Sequence, residues 1–202
     1  SDDWAEREGA WSTLQSLARL RWPWAGVLAP HRKGIPGVNL HCAMHSYRFG
    51  NFRAKVKLSD ANAKWFEYIG VQSTGHGPQQ PIEVAFENNV PFITKGVKDW
   101  ITQREELYNN VQVFPTAKVV ARGVQGNRKE GVAWTNDYHG TRVFSTSLGH
   151  NNVTVADARY LNLVARGILW ATTAPLPPAV HGRSDQAPAT ALLQIDLDTG
   201  RV

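Results

Sequence analysis

The chain has 202 residues, 42% of them hydrophobic, which is enough apolar material for one α/β domain and too little length for two full ones. Its formal charge of +5, from 22 basic and 17 acidic residues, is scattered (Arg21, Lys33, Arg48, Lys55, Lys95, Lys118, Arg142), so no nucleic-acid footprint is read. The single cysteine, Cys42, excludes an internal disulfide framework and a cysteine-rich zinc site; no apolar run has the length of a membrane span, and no signal peptide is visible at Ser1.

In chain order, residues 1–32 hold four of the eight tryptophans: Trp4, Trp11, Trp22 and Trp24. Residues 11–20 predict a helix with Leu14, Leu17, Ala18 and Arg21 along one side, ended or kinked by Pro23. Aromatic crowding of this kind packs against something, either the rest of the domain or a protein partner docking on the N-terminal segment. A Lys33-Gly34-Ile35-Pro36-Gly37 turn introduces a short strand from Gly37 to His41, and Trp65 to Ile69 predicts a short helix stopped by Gly70. Residues 82–86 alternate as a strand, 97–108 read as helical or mixed, and 111–122 as extended chain. Residues 133–147 predict a hairpin with its turn within Asn136 to Gly140. In its second strand Phe144, Thr146 and Leu148 share one face, and Val143, Ser145 and Ser147 the other. Gly149 allows a sharp turn, Thr154 predicts an N-cap, and Leu161, Val164 and Ile168 are expected to form the buried stripe of the helix that follows. Ala174-Pro175-Leu176-Pro177-Pro178 reads as a stiff linker into a tail. The expected division is a Trp-rich segment (1–32), an α/β domain (33–172) and a Pro-rich tail (173–202).

Histidines mark the strand ends. His150 follows a glycine turn at the mouth of the sheet, where open α/β folds bind ligands. His41 closes the first strand, with Cys42 beside it. A cysteine nucleophile needs a lowered pKa and a partnered histidine, and neighbours on a continuing strand face opposite ways, so an inert buried thiol is expected. His41 and His45 would share a face, and could then hold a metal, only if a helix began at His41. Gly75-His76-Gly77 reads as a tight loop that either presents an imidazole to a ligand or bonds its own backbone. Glu105-Glu106-Leu107-Tyr108 offers two carboxylates and a phenol; successive side chains diverge, so one carboxylate is expected in solvent. Tyr47 and Arg48 carry donors behind the first strand and read either as ligand contacts or as a surface turn.

The ordered motifs GIPGVNLHCAMHSYR, WFEYIGVQSTGHGPQQPIEV, ITKGVKDWITQREELYNN, VAWTNDYHGTRVFSTSLGHNN and ADARYLNLVARGILWA make the chain, over about residues 33 to 172, resemble the trehalose-utilisation (ThuA-like) family. The resemblance implies a three-layer α/β sandwich with a mainly parallel sheet, similar to flavodoxin and the class I glutamine amidotransferases, and a site at the strand C-terminal ends. It also implies a role in carbohydrate metabolism and an exported or periplasmic location. Residues 1–32 are shorter than the βα units that usually precede the His41 strand, which suggests an N-terminally shortened member. By family position Glu106 and Tyr108 face the pocket. The implied site then has His41, His76, Glu106 and His150 as acid/base groups on a sugar or keto-sugar, Tyr47, Tyr108, Trp134 and Asn151 as substrate contacts, and an optional divalent metal at the histidines.

Three departures shape the alternative reading. The front is short, the family's His-Pro is replaced by Pro91-Phe92, and Asn151 stands where an acid often follows the Gly-His pair. These favour a degenerate member kept as a structural or interaction subunit of a larger, membrane-associated assembly. Glutamine amidotransferase chemistry would need Cys42 exposed at a strand-to-helix elbow with a His-Glu pair behind it. A glycosidase carboxylate pair is not expected, since only one carboxylate can be placed at the site.

Overall fold

The structure is a computed structural model that describes residues 23–173; the helix expected over residues 11–20 and the Pro-rich stretch from 174 onward lie outside the described residues. Helix α1 (Pro23–Arg32) leads into β1 (Gly37–Leu40) and a 3-10 turn (His41–His45). A second 3-10 turn (Ala61–Ala63) runs into α2 (Lys64–Ile69). Gly70 ends α2 at φ 84°, its N–H bonded to the Phe66 carbonyl. A Cβ there would lie 2.7 Å from Asn136 and 2.8 Å from Ala117, so both backbone twist and space require glycine. Then follow β2 (Val71–Gln80), β3 (Glu83–Phe86), α3 (Pro91–Thr94), β4 (Trp100–Ile101), β5 (Glu105–Val113), β6 (Ala117–Gln125), β7 (Arg128–Tyr138), β8 (Thr141–Thr146), α4 (Asn152–Ala156) and α5 (Ala158–Thr173).

Six strands form one sheet in the order β1-β8-β7-β6-β3-β4, while β2 and β5 pair antiparallel in a second. Among the described residues of the large sheet only β1 and β8 run parallel; every other pairing there is antiparallel. The expectation of a mainly parallel sheet is therefore corrected, and the reason lies in the turns. Gln125 pairs with Arg128 and Tyr138 with Thr141, leaving two-residue loops at 126–127 and 139–140. Parallel neighbours need a crossover of a dozen or more residues, so such loops can join only antiparallel strands. His139 and Gly140 both take positive φ, 53° and 82°, the signature of a primed hairpin turn whose twist matches the strands.

Alternation along β6, β7 and β8 divides the core in two. Val119, Trp134 and Val143 join Trp65, Phe66, Tyr68 and Met44 on one face. Val120, Ala133 and Phe144 join Ile82, Ile93, Trp100 and Leu163 on the other. Helix α5 covers the second face through Tyr160, Leu163, Gly167 and Ala171, all buried, whereas Leu161 and Ile168 are 51% and 43% exposed. The expected stripe is thus rotated. Gly167 sets the rotation: a Cβ there would sit 2.2 Å from the Phe144 ring, so the helix seats its smallest residue against that ring. Two further expectations change. Residues 97–108 contain no helix; they supply β4 and the start of β5, because β2 and β3 are available to pair with them. Thr154 does not cap the helix that carries Leu161 and Ile168: it lies inside α4, which Asn151 caps by accepting from the Val153 and Thr154 N–H groups, and α5 starts at Ala158 after Asp157, whose carboxylate accepts the Arg159 N–H. No helix among the described residues is long and apolar enough to cross a membrane.

Candidate functional site

The single parallel pair decides where two histidines end up. Leu40 is paired with Thr146, so β1 and β8 finish side by side and the chains leaving them emerge at one edge. On the first, His41 takes φ 40°, a conformation costly for a residue with a Cβ, and turns the chain directly into its 3-10 helix. This is a strand-to-helix elbow, and the histidine occupies its strained position. On the second, Ser147 and Leu148 run into Gly149 (φ 112°) and His150. The turn is held from below by Glu105, which is fully buried: its carboxylate accepts the Gly149 N–H at 3.3 Å and the His150 N–H at 3.0 Å. A Cβ on Gly149 would lie 2.7 Å from the Tyr160 hydroxyl, so the turn has room only for glycine.

The two-stranded sheet brings the complementary groups. His76 is in register with Tyr108, and Gln79 with Glu106, in a stretch where β2 bulges repeatedly. Glu106 and Tyr108, two residues apart on β5, share a face. Around the Glu106 carboxylate stand His150 Nδ1 at 3.2 Å, His76 Nδ1 at 3.6 Å and His41 Nε2 at 3.8 Å, while Gln79 donates an amide N–H to Glu106 Oε1 at 3.3 Å. Tyr108 stacks on His45 with centroids 4.4 Å apart and lies beside His41 at 5.4 Å and His76 at 5.9 Å. Glu106 is nearly buried, yet the side chains of His76, His150 and His41 keep 44%, 27% and 14% of their surface, so the cluster is open to a ligand from the histidine side.

The protonation pattern follows from the partners. His41 Nδ1 lies 2.8 Å from the Ser147 carbonyl, which can only accept, so Nδ1 carries hydrogen and Nε2 turns toward Glu106 with a lone pair unless a second proton arrives. A carboxylate and a ring lone pair facing each other favour a cation or a proton between them. The nearest donor atoms of His41, Glu106 and His150 all lie within 4.8 Å of one another, a two-histidine, one-carboxylate set that fits a divalent transition metal. The Nδ1 bond to a backbone carbonyl is the outer-shell contact that fixes a ligating imidazole. Burial keeps His45 neutral, its pKa pushed down to about 3, helped by the charges of Arg48, His76 and His41. Its Nε2 lies 3.0 Å from the Ser73 hydroxyl. A helical turn does start at His41, but His45 is spent on Ser73 and Tyr108 and stands outside the donor set. Burial, then the nearby Cys42 and Glu106 charges, raises the Tyr108 pKa above its ordinary value, so the phenol stays a proton donor.

Trp134, Tyr47 and Asn151 are engaged with other partners. Trp134 is 1% exposed in the core with its indole N–H donated to the Ile69 carbonyl, so no face is free for a sugar. Tyr47 sits at φ 52° with its ring against Trp65. Asn151 uses its carbonyl as a helix cap and its amide on the Arg104 carbonyl. His76 belongs to a bulged strand and not to a free loop, although its Nδ1 does bond the Gly77 carbonyl. Cys42 is exposed, contrary to the buried thiol expected, because it stands on the turn after the elbow; among the described residues none hydrogen-bonds its sulfur. Neither carboxylate of the Glu105-Glu106 pair is in solvent. Sequence reasoning set Glu105 aside in favour of Glu106 and did not single out Gln79, since their partners lie 45 and 27 positions away.

Comparison with known proteins adds the following. The profile of the ThuA family, described as trehalose utilisation, matches residues 40–171. Among solved structures, a ThuA-like protein from Parabacteroides merdae ATCC 43184 superposes with a TM-score of 0.58 at 18% identity, covering 79% of this chain and 68% of that one. A ThuA-like protein from Bacteroides uniformis ATCC 8492 gives 0.52 at 15% identity, covering 70% of this chain and 60% of that one. No curated protein sequence matches significantly.

Proposed function

The chain belongs to the ThuA family, and from that premise we propose that it binds or acts on a carbohydrate, a sugar or keto-sugar, through the cluster built on Glu106. The observation that carries this reading is the gathering of His41, His76 and His150 within 3.8 Å of one buried carboxylate, with the Tyr108 phenol alongside. Residues that arrive from four separate segments and converge on a partly open spot suit a ligand better than they suit packing.

In this reading Glu106 is the proton acceptor for a sugar hydroxyl or for a carbon next to a carbonyl, and Gln79 keeps its carboxylate oriented. His150, closest to Glu106, takes up or returns the proton. The bond from His41 Nδ1 to the Ser147 carbonyl orients the ring, so its Nε2 is turned toward Glu106 and a ligand held there. Tyr108 donates a hydrogen bond to a developing oxyanion. A divalent cation held by His41, Glu106 and His150 would polarise a carbonyl or adjacent hydroxyls of the ligand.

Binding of trehalose and of a keto-sugar, followed by calorimetry with and without added zinc or manganese, tests the proposal. Glu106→Gln and His150→Ala are expected to weaken binding at least tenfold while leaving the fold intact by circular dichroism. Unchanged affinity in both variants would remove the site. The interaction-subunit reading predicts no sugar binding at all in the parent protein.

A further inference from the structure

Arg48 carries a guanidinium that the protein leaves half used. It is partly buried on the turn after His45, with Nε donating to the His45 carbonyl at 3.1 Å and its plane lying 4.8 Å over the Phe52 ring. Its Nη1 is buried and has no hydrogen-bond partner, and no carboxylate pairs with it among the described residues. Burial pulls its pKa below the ordinary arginine value. Taking a cationic N–H out of water without an acceptor is unfavourable, and native arginines in such places are matched by an oxyanion.

Arg48 adjoins the site through His45, whose carbonyl accepts its Nε–H and whose ring stacks on Tyr108. Its charge helps burial lower the His45 pKa and offsets only part of the rise that burial imposes on Tyr108. The loop beyond it adds exposed Arg53, Lys55 and Lys57, and between residues 46 and 63 the only acid is Asp60, which is tied to the Lys57 N–H at 2.8 Å. The segment that carries Arg48 is therefore positive, and the part of it fixed next to His45 is the Arg48 guanidinium.

We infer that Arg48 forms an anion subsite beside Glu106, and that the carbohydrate taken by this protein bears an acidic group, a carboxylate or a phosphate. Arginine's planar fork suits either group, and Phe52 and the His45 carbonyl hold it ready. The exposed lysines and Arg53 supply only longer-range, salt-sensitive attraction. The sugar part of the inference rests on the carbohydrate reading above; the anion part rests on Arg48.

The experiment titrates the full chain with D-glucose, D-glucuronate, glucose 6-phosphate and inorganic phosphate, by calorimetry at fixed ionic strength. The parent protein is expected to take one or both acidic sugars at least tenfold tighter than glucose, and the tighter of the two identifies the acid. Arg48→Gln should erase that gap, Arg48→Lys should keep part of it, and Arg53→Gln should leave it in place. Equal affinity for glucose and its acids in the parent protein, a comparison that needs no variant, would overturn the subsite while sparing the carbohydrate reading. A gap that persists in Arg48→Gln would overturn it too. Arg48-dependent binding of phosphate with no binding of any sugar would uphold the subsite and sink the carbohydrate reading.

Discussion

Removing the Glu105 carboxylate should be the most damaging single change among the residues that support the site without carrying a proposed ligand-handling side chain. Glu105 is fully buried and accepts from two backbone N–H groups, those of Gly149 and His150. Glu105→Ala leaves both donors without a partner in a place water reaches poorly. Each orphaned buried donor costs about 1–3 kcal/mol, so the variant is expected to lose about 3–5 kcal/mol of stability. Glu105→Gln keeps one accepting oxygen and most of the shape, and should lose about half as much. For a chain of this size each kcal/mol lowers Tm by roughly 2–4 °C, so the alanine variant should melt roughly 10 °C below the parent. Urea unfolding followed by tryptophan fluorescence reads the difference, with an unchanged slope indicating that only native stability moved. A loss below about 0.5 kcal/mol in the alanine variant, the range of an ordinary surface substitution, would refute the role of Glu105 as the support of the His150 turn.

Gly149→Ala must place a Cβ 2.7 Å from the Tyr160 hydroxyl at φ 112°; thermal melting should show a loss of about 2 kcal/mol or more, and a neutral result would mean the turn is not held as described. Gly167→Ala gains about 1 kcal/mol of helix propensity but drives a methyl to within 2.2 Å of Phe144; overpacking should win, giving net destabilisation that Phe144→Leu partly relieves, whereas a stabilised single variant would contradict the packing. His45 should remain neutral in the folded protein down to about pH 4, as followed by NMR of its ring. Its folded pKa, about 3, lies below the 6.5 of an unfolded histidine, so its contribution to stability is full above pH 6.5 and is lost as pH falls from there toward 3. A ring titrating with a midpoint near its ordinary value would remove that contribution.

Local chemistry was the legible part of the fold. The β7–β8 hairpin announces itself through His139-Gly140, the end of α2 through Gly70, and β1 through its Gly-Ile-Pro-Gly entrance, because each signal sits within a few residues of the feature it makes. Pairing across long separations was not legible. The segment from Trp100 to Tyr108 has the spacing of a mixed segment and becomes strand only because β2 and β3 lie beside it. The α5 stripe followed hydrophobicity to Leu161 and Ile168, whereas the deciding residue is Gly167, which contributes no hydrophobicity. At the site, His41, His76, Glu106, Tyr108 and His150 could be singled out as residue types at strand ends and in Gly-rich stretches. Glu105 could not, because what it binds is backbone, and backbone has no letter in the sequence. Trp134 drew attention for its large ring, and nothing near it in sequence distinguishes a core tryptophan from one at a site.

The β1–β8 ladder has a bearing on how the protein reaches its working form. Parallel pairing of Leu40 with Thr146 sets the His41 ring opposite the Ser147 carbonyl and, three residues later, delivers His150. Sliding one strand by a single position would reverse the faces and carry that carbonyl away from the ring. Correct alignment and the gathered cluster therefore arise together, so a ligand that bridged the two histidines would favour the aligned ladder over a slipped one.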